Sequence, residues 1–245
     1  MLPYSVLAGF YDAIIKDERY DKWTNYIVSL VKENCSGQTG VDVACGSGIV
    51  TLKLKKAGYN VTGVDISEEM LQQAQASARN ENLYLPFLRQ DMKNLKLFEK
   101  VSFITVINDG LNYIKQADLL KTFKSFHKNL KSDGVLIFDV SSSYKLKNVL
   151  GNNMYGDDNE NLSYIWFNTF SDNKVDLNIT FFKKQGENYI RYEENQTQYV
   201  HEVDSVITAL NTASFEIVSV TGEFGEEITN NTERIIFIAK PKNVK

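Results

Sequence analysis

Apolar and polar residues are spaced in two different ways along this chain, and the spacing changes beyond about residue 140. Before that point, short apolar runs alternate with stretches in which apolar residues recur three or four positions apart. The runs predict strands over 41–43, 60–64, 83–89, 101–107 and 135–140, and the longer period predicts helices over 10–34, 49–57, 67–80 and 116–130. In the first helix Trp23, Ile27, Leu30 and Val31 share one face, which should pack on a sheet. Gly58 is placed to stop the second helix. Ser67 is placed to cap the third, whose first turn carries Glu68 and Glu69 at the positive end of the dipole. The run 101–107 is almost continuously apolar, as a parallel strand covered on both faces must be. Strand and helix alternating in this way specify an α/β fold.

Further on the period falls to two. Val175, Leu177, Ile179 and Phe181 alternate with polar neighbours, and Ser171-Asp172-Asn173 and Gln185-Gly186-Glu187-Asn188 are turn signals, so 162–199 reads as an antiparallel meander. A helix over 202–212 and strands over 215–220 and 234–239 complete the chain.

Composition narrows the class. A chain of 245 residues with 43% apolar content can bury one large core, or a core with an insertion. No run of about 18 apolar residues occurs, and Met1-Leu2-Pro3-Tyr4-Ser5 does not open a basic and then apolar leader. A cytoplasmic protein with no membrane partner is the expectation. The net charge of −4 opposes a general attraction to nucleic acid, which favours a small-molecule substrate. Cys35 and Cys45 are too few for a disulfide framework, and no metal-ligand cluster is apparent. His127, on the 116–130 helix, reads as structural.

Candidate chemistry centres on Val41-Asp42-Val43-Ala44-Cys45-Gly46-Ser47-Gly48, where a strand runs through a small-residue turn into a helix. Gly46 and Gly48 let a ligand approach the backbone, and the helix start presents unpaired N–H groups to it. The pattern D-x-A-C-G-S-G lacks the first glycine of a dinucleotide fingerprint and the Gly-Lys-Ser/Thr ending of a phosphate loop. Asp65, at the end of the second strand, is placed to accept hydrogen bonds from two ribose hydroxyls.

Turn, helix and acid at this spacing resemble the class I S-adenosylmethionine-dependent methyltransferases of the small-molecule type. The resemblance implies a Rossmann-like seven-stranded sheet of order 3-2-1-4-5-7-6, its last strand antiparallel, with an inserted antiparallel β meander. It implies a helical cap at 1–37, a methyltransferase core at 38–145 and 201–245, and a β lid at 146–200, for which a dimerisation ribbon is the alternative. S-adenosyl-L-methionine is the cofactor it implies. Asp42, Ala44 (in place of the family's first glycine), Gly46 and Gly48 would hold the methionine part and Asp65 the ribose. Ile66 would pack on the adenine with Met70 in the same pocket, Asp91 and the Met92 N–H would meet the adenine edge, and the Asn108 carbonyl would take the amino group. Tyr11, Asn112 and Tyr113 would face the acceptor. The expected reaction is methyl transfer to a small molecule, an amine in preference to a hydroxyl, by a monomer or homodimer. Its alternatives are a non-catalytic S-adenosylmethionine-binding module and a nucleotide-dependent oxidoreductase.

Overall fold

The computed structural model describes residues 18–242. Tyr11 therefore lies outside the described residues. Helix α1 (Glu18–Asn34) leads into β1 (Thr39–Val43), α2 (Ile49–Lys56), β2 (Asn60–Asp65), α3 (Glu68–Asn80), β3 (Phe87–Arg89) and β4 (Val101–Val106). Then come α4 (Leu119–Asn129) and β5 (Leu130–Ser141), four strands β6 (Met154–Asp158), β7 (Leu162–Ser171), β8 (Lys174–Gln185) and β9 (Asn188–Tyr199), and finally α5 (Val203–Thr212), β10 (Phe215–Gly222) and β11 (Arg234–Pro241).

Seven strands form one sheet in the order β10-β11-β5-β4-β1-β2-β3, with β11 antiparallel to both neighbours. In sheet order this is the expected 3-2-1-4-5-7-6. The run of β4 is apolar because both faces are covered: Phe103 joins a core with Trp23, Ile27, Leu30 and Val31 of α1, whereas Ile104 and Val106 join one with Phe123 and Phe126 of α4.

Helix ends follow their local chemistry. The Ser67 hydroxyl accepts the Met70 N–H at 3.2 Å, as an N-cap should. Gly58, at φ +96, stands one residue beyond the cap of α2 rather than at it, and the Tyr59 and Gly58 N–H groups return to the Leu54 and Lys55 carbonyls. Asn82 does the same for α3 at φ +56, with the Leu83 N–H returning to the Ala78 carbonyl. That use of Leu83, and the missing N–H of Pro86, explain why the third strand is three residues long and not the whole of 83–89. At the other extreme β5 begins early: Leu130 pairs with Val101, and the chain bulges before Val135 pairs with Phe103.

The second sheet runs β6-β7-β8-β9, antiparallel throughout, and gains β6 over the expected meander. Its hairpin at Asp172-Asn173 has both residues at positive φ, the geometry that suits a two-residue turn between twisted strands. Val175, Leu177, Ile179 and Phe181 of β8 are buried, and across the pairing Gln198, Gln196 and Glu194 of β9 stand opposite the first three. One face thus carries an apolar stripe beside a polar one. The polar stripe meets the short 3₁₀ turn Gly110–Tyr113 beyond the carboxyl end of β4.

Candidate active site

The β1-to-α2 turn owes its shape to three left-handed residues, Ala44 at φ 53, Gly46 at φ 55 and Gly48 at φ 83. For Ala44 this conformation is strained, since a Cβ crowds the next carbonyl there. A Cβ on Gly46 would meet nothing within 4 Å, so this turn opens onto free space. A Cβ on Gly48 would instead come within 2.9 Å of the Ala74 Cβ. Gly48 is therefore also a packing contact between α2 and α3, and its neighbours Ser47 and Ile49 line the cavity.

Asp65 ties this turn to the next helix: one carboxylate oxygen accepts the Gly46 N–H at 2.8 Å and the other the Ser67 N–H at 2.9 Å. Burial raises its pKa, and those N–H groups oppose the rise. The Ile66 N–H also acts on this carboxylate, which still has acceptor capacity for a further donor. Asp42 is fully buried and accepts the Thr51 hydroxyl at 2.6 Å and the Thr105 hydroxyl at 2.7 Å. Desolvation pushes its carboxyl up to about 6. The Cys45 thiol is pushed well up by burial and by Asp65 and Asp42, so it is no nucleophile.

A cavity of about 210 Å³ lies above these groups. Asp42, Ala44, Gly46, Asp65, Ile66 and Met70 line one side, and Asp91, Met92, Asn108 and Tyr113 another, so most of the expected cofactor residues are brought together. Ile66 keeps 37% of its surface exposed, an apolar side chain open at the cavity. Asp91 caps the following 3₁₀ turn by accepting the Lys93 N–H at 2.9 Å. Gln90, Lys93 and Ile107 also line the cavity and were not anticipated.

Asn112 stands outside this lining. Its side chain is fully buried, donating to the Ser141 carbonyl at 3.2 Å and the Tyr199 carbonyl at 3.0 Å and accepting the Ser141 N–H at 2.9 Å. The expected acceptor-orienting side chain is instead a clasp between β5 and the second sheet. Tyr113 does face the cavity, and its hydroxyl donates to Gln196 Oε1 at 2.9 Å.

The loop after β4 is held by residues that the sequence did not single out. Asn108 and Asp109 are both left-handed, at φ 61 and φ 52, and their N–H groups donate to the two oxygens of buried Asp139 at 2.7 and 3.0 Å. Arg234 pairs with Asp139 and lies 5.0 Å over the Trp23 ring, whose Nε1 donates to Asn108 Oδ1 at 2.9 Å. Burial raises the Asp139 carboxyl, and Arg234 opposes this. The available signal was a lone carboxylate inside the apolar strand Val-Leu-Ile-Phe-Asp-Val. Among the described residues, no group of three or more His, Cys, Asp or Glu could hold a metal. No described helix is long and apolar enough to cross a membrane.

An apolar cavity over a glycine turn, with an aligned carboxylate at the end of the second strand, suits an adenosyl ligand carrying an amino acid. Comparison with known proteins agrees. A family profile described as a methyltransferase domain matches residues 41–134. A Geobacillus sp. protein named among the methyltransferases is 33% identical over 98% of this chain and 100% of its own. The crystal structure of an S-adenosylmethionine-dependent methyltransferase from Clostridium acetobutylicum superposes with a TM-score of 0.88 at 34% identity, covering 98% of this chain and 99% of that one. A sugar N-methyltransferase from Streptoalloteichus shares the fold at a TM-score of 0.81 and 18% identity, over 99% and 95% of the two chains. The chain belongs to the S-adenosylmethionine-dependent methyltransferases, and S-adenosyl-L-methionine is its cofactor.

Proposed function

We propose that this enzyme methylates a small-molecule acceptor, an amine in preference to a hydroxyl. The observation that carries this reading is the docking of the second sheet on the loop after β4, through Asn112 to Tyr199 and Tyr113 to Gln196. A wall of this kind leaves a chamber suited to a small acceptor and excludes bulky ones. The similarly folded sugar N-methyltransferase supports an amine. On this reading the chain divides into a core at 38–145 and 201–245 and a lid at 146–200.

Asp65 would take the two ribose hydroxyls with its remaining acceptor capacity, Asp91 and the Met92 N–H the adenine edge, and Ile66 and Met70 the adenine face. The open turn at Gly46 and the Asn108 carbonyl would hold the methionine part. The bound cofactor supplies an electrophilic methyl group on a positive sulfonium. What the protein adds is alignment, which can lower a barrier by roughly 7–11 kcal/mol. Calorimetry with S-adenosylmethionine, its demethylated product and NAD tests the site, with binding of the first two alone expected. Turnover over matched amines and alcohols tests the acceptor. Faster alcohols would overturn the amine preference.

A further inference from the structure

Tyr113 belongs both to the cavity wall and to a second group of polar side chains. Its hydroxyl accepts the Gln198 Nε2 at 3.2 Å, and the same nitrogen donates to Asp109 Oδ2 at 2.7 Å. Asp109 Oδ2 also accepts the Ser141 hydroxyl at 3.2 Å. Gln198 is 5% exposed, yet its Oε1 has no hydrogen-bond partner. A buried carbonyl oxygen left without a donor costs free energy, so this one awaits a donor from outside the protein. Of the cations nearby, Arg234 is paired with Asp139, and burial and Arg234 lower the pKa of Lys145 against the opposing pull of Asp109, Asp139 and Glu233.

We propose that Asp109, Tyr113 and Gln198 form the acceptor seat, and that it takes an N–H-bearing amine and rejects carboxylates and phosphates. The proposal rests on the methyl-transfer reading above and deepens it. Acceptor oxygens hold an amine through its N–H groups and leave its lone pair available for attack. The same oxygens repel an anionic group next to the methyl.

Cofactor analogues test this without knowledge of the natural acceptor. In each, a nitrogen replaces the sulfonium and bears an arm of about three carbons ending in an amine, a hydroxyl or a carboxylate; the demethylated cofactor is the reference. Calorimetry on the full chain should find the amine arm tighter than the carboxylate arm by about tenfold or more, the worth of one hydrogen bond to a charged group. Asp109→Asn keeps the shape and tolerates φ 52, and Gln198→Leu removes the orphan oxygen. Each should cut the preference to below about threefold while leaving the reference affinity unchanged. A merely structural role would move the reference as well, and that result overturns the seat. So does equal or tighter binding of the carboxylate arm, or a preference that survives both substitutions. Failure of the reference itself to bind would instead overturn the underlying cofactor site.

Discussion

The two walls of the site are built from different materials. On the cofactor side, Asp42 and Asp65 are satisfied by backbone N–H groups and by hydroxyls of the adjoining strand and helix. On the side proposed for the acceptor, Gln196 and Gln198 reach Tyr113 and Asp109 across 83 to 89 residues of chain, side chain to side chain. A change in the first wall takes partners away from backbone N–H groups and hydroxyls at the strand ends. The second can change residue by residue while its scaffold stays, which is how one core serves many acceptors.

The contrast can be broken in several ways. The largest effect is expected where both walls share a support: Asp139→Ala leaves Arg234 buried without its partner and frees the Asn108 and Asp109 N–H groups. A stability loss of about 3–5 kcal/mol in chemical denaturation is expected; a loss below about 1 kcal/mol would show that the pair supports neither wall. Next comes Asp65→Ala, expected to weaken cofactor binding by about 2–4 kcal/mol in calorimetry with the fold retained. Unchanged affinity would remove Asp65 from the ribose site.

The cofactor wall also carries a pH signature. Burial raises the Asp42 carboxyl from 3.8 to about 6, so the stability that its protonation confers is complete below 3.8 and lost as pH rises through about 6. Up to about 3 kcal/mol is at stake at roughly 1.4 kcal/mol per pH unit. Between pH 4 and pH 7 the wild type should therefore lose stability relative to Asp42→Asn. A difference that does not vary with pH would contradict the assignment.

Asn112→Ala sharpens the comparison from the other side. It should cost about 1–3 kcal/mol of stability, because the Ser141 and Tyr199 carbonyls lose a buried donor, while cofactor affinity stays within error. A turnover defect with unchanged stability would return Asn112 to the acceptor. The smallest effect belongs to Ala44→Gly, which relieves the left-handed strain at φ 53 and should raise stability by about 1 kcal/mol. A loss of stability would mean that the Ala44 methyl, packed against the core, matters more than its backbone.

Local sequence determined the succession of strands and helices, the helix caps and the positions of Asp42, Asp65 and Asp91, because each rests on a period or a turn spanning a few residues, whereas the sheet order came only with the family resemblance. Asn112 shows its limit. Its position in the chain suggests a ligand contact, and hydrogen bonds to the Ser141 and Tyr199 carbonyls turn it to structural use. Strand β9 shows the reason most clearly. Glu193 to Gln198 is polar at every position, so its alternation names no inward face; only pairing with the apolar stripe of β8 turns Glu194, Gln196 and Gln198 inward. The clamp of Asp139, Arg234 and Trp23 likewise joins residues 95 and 85 positions distant from their partners. Such contacts arise from the crossing of strands, and no local pattern encodes them.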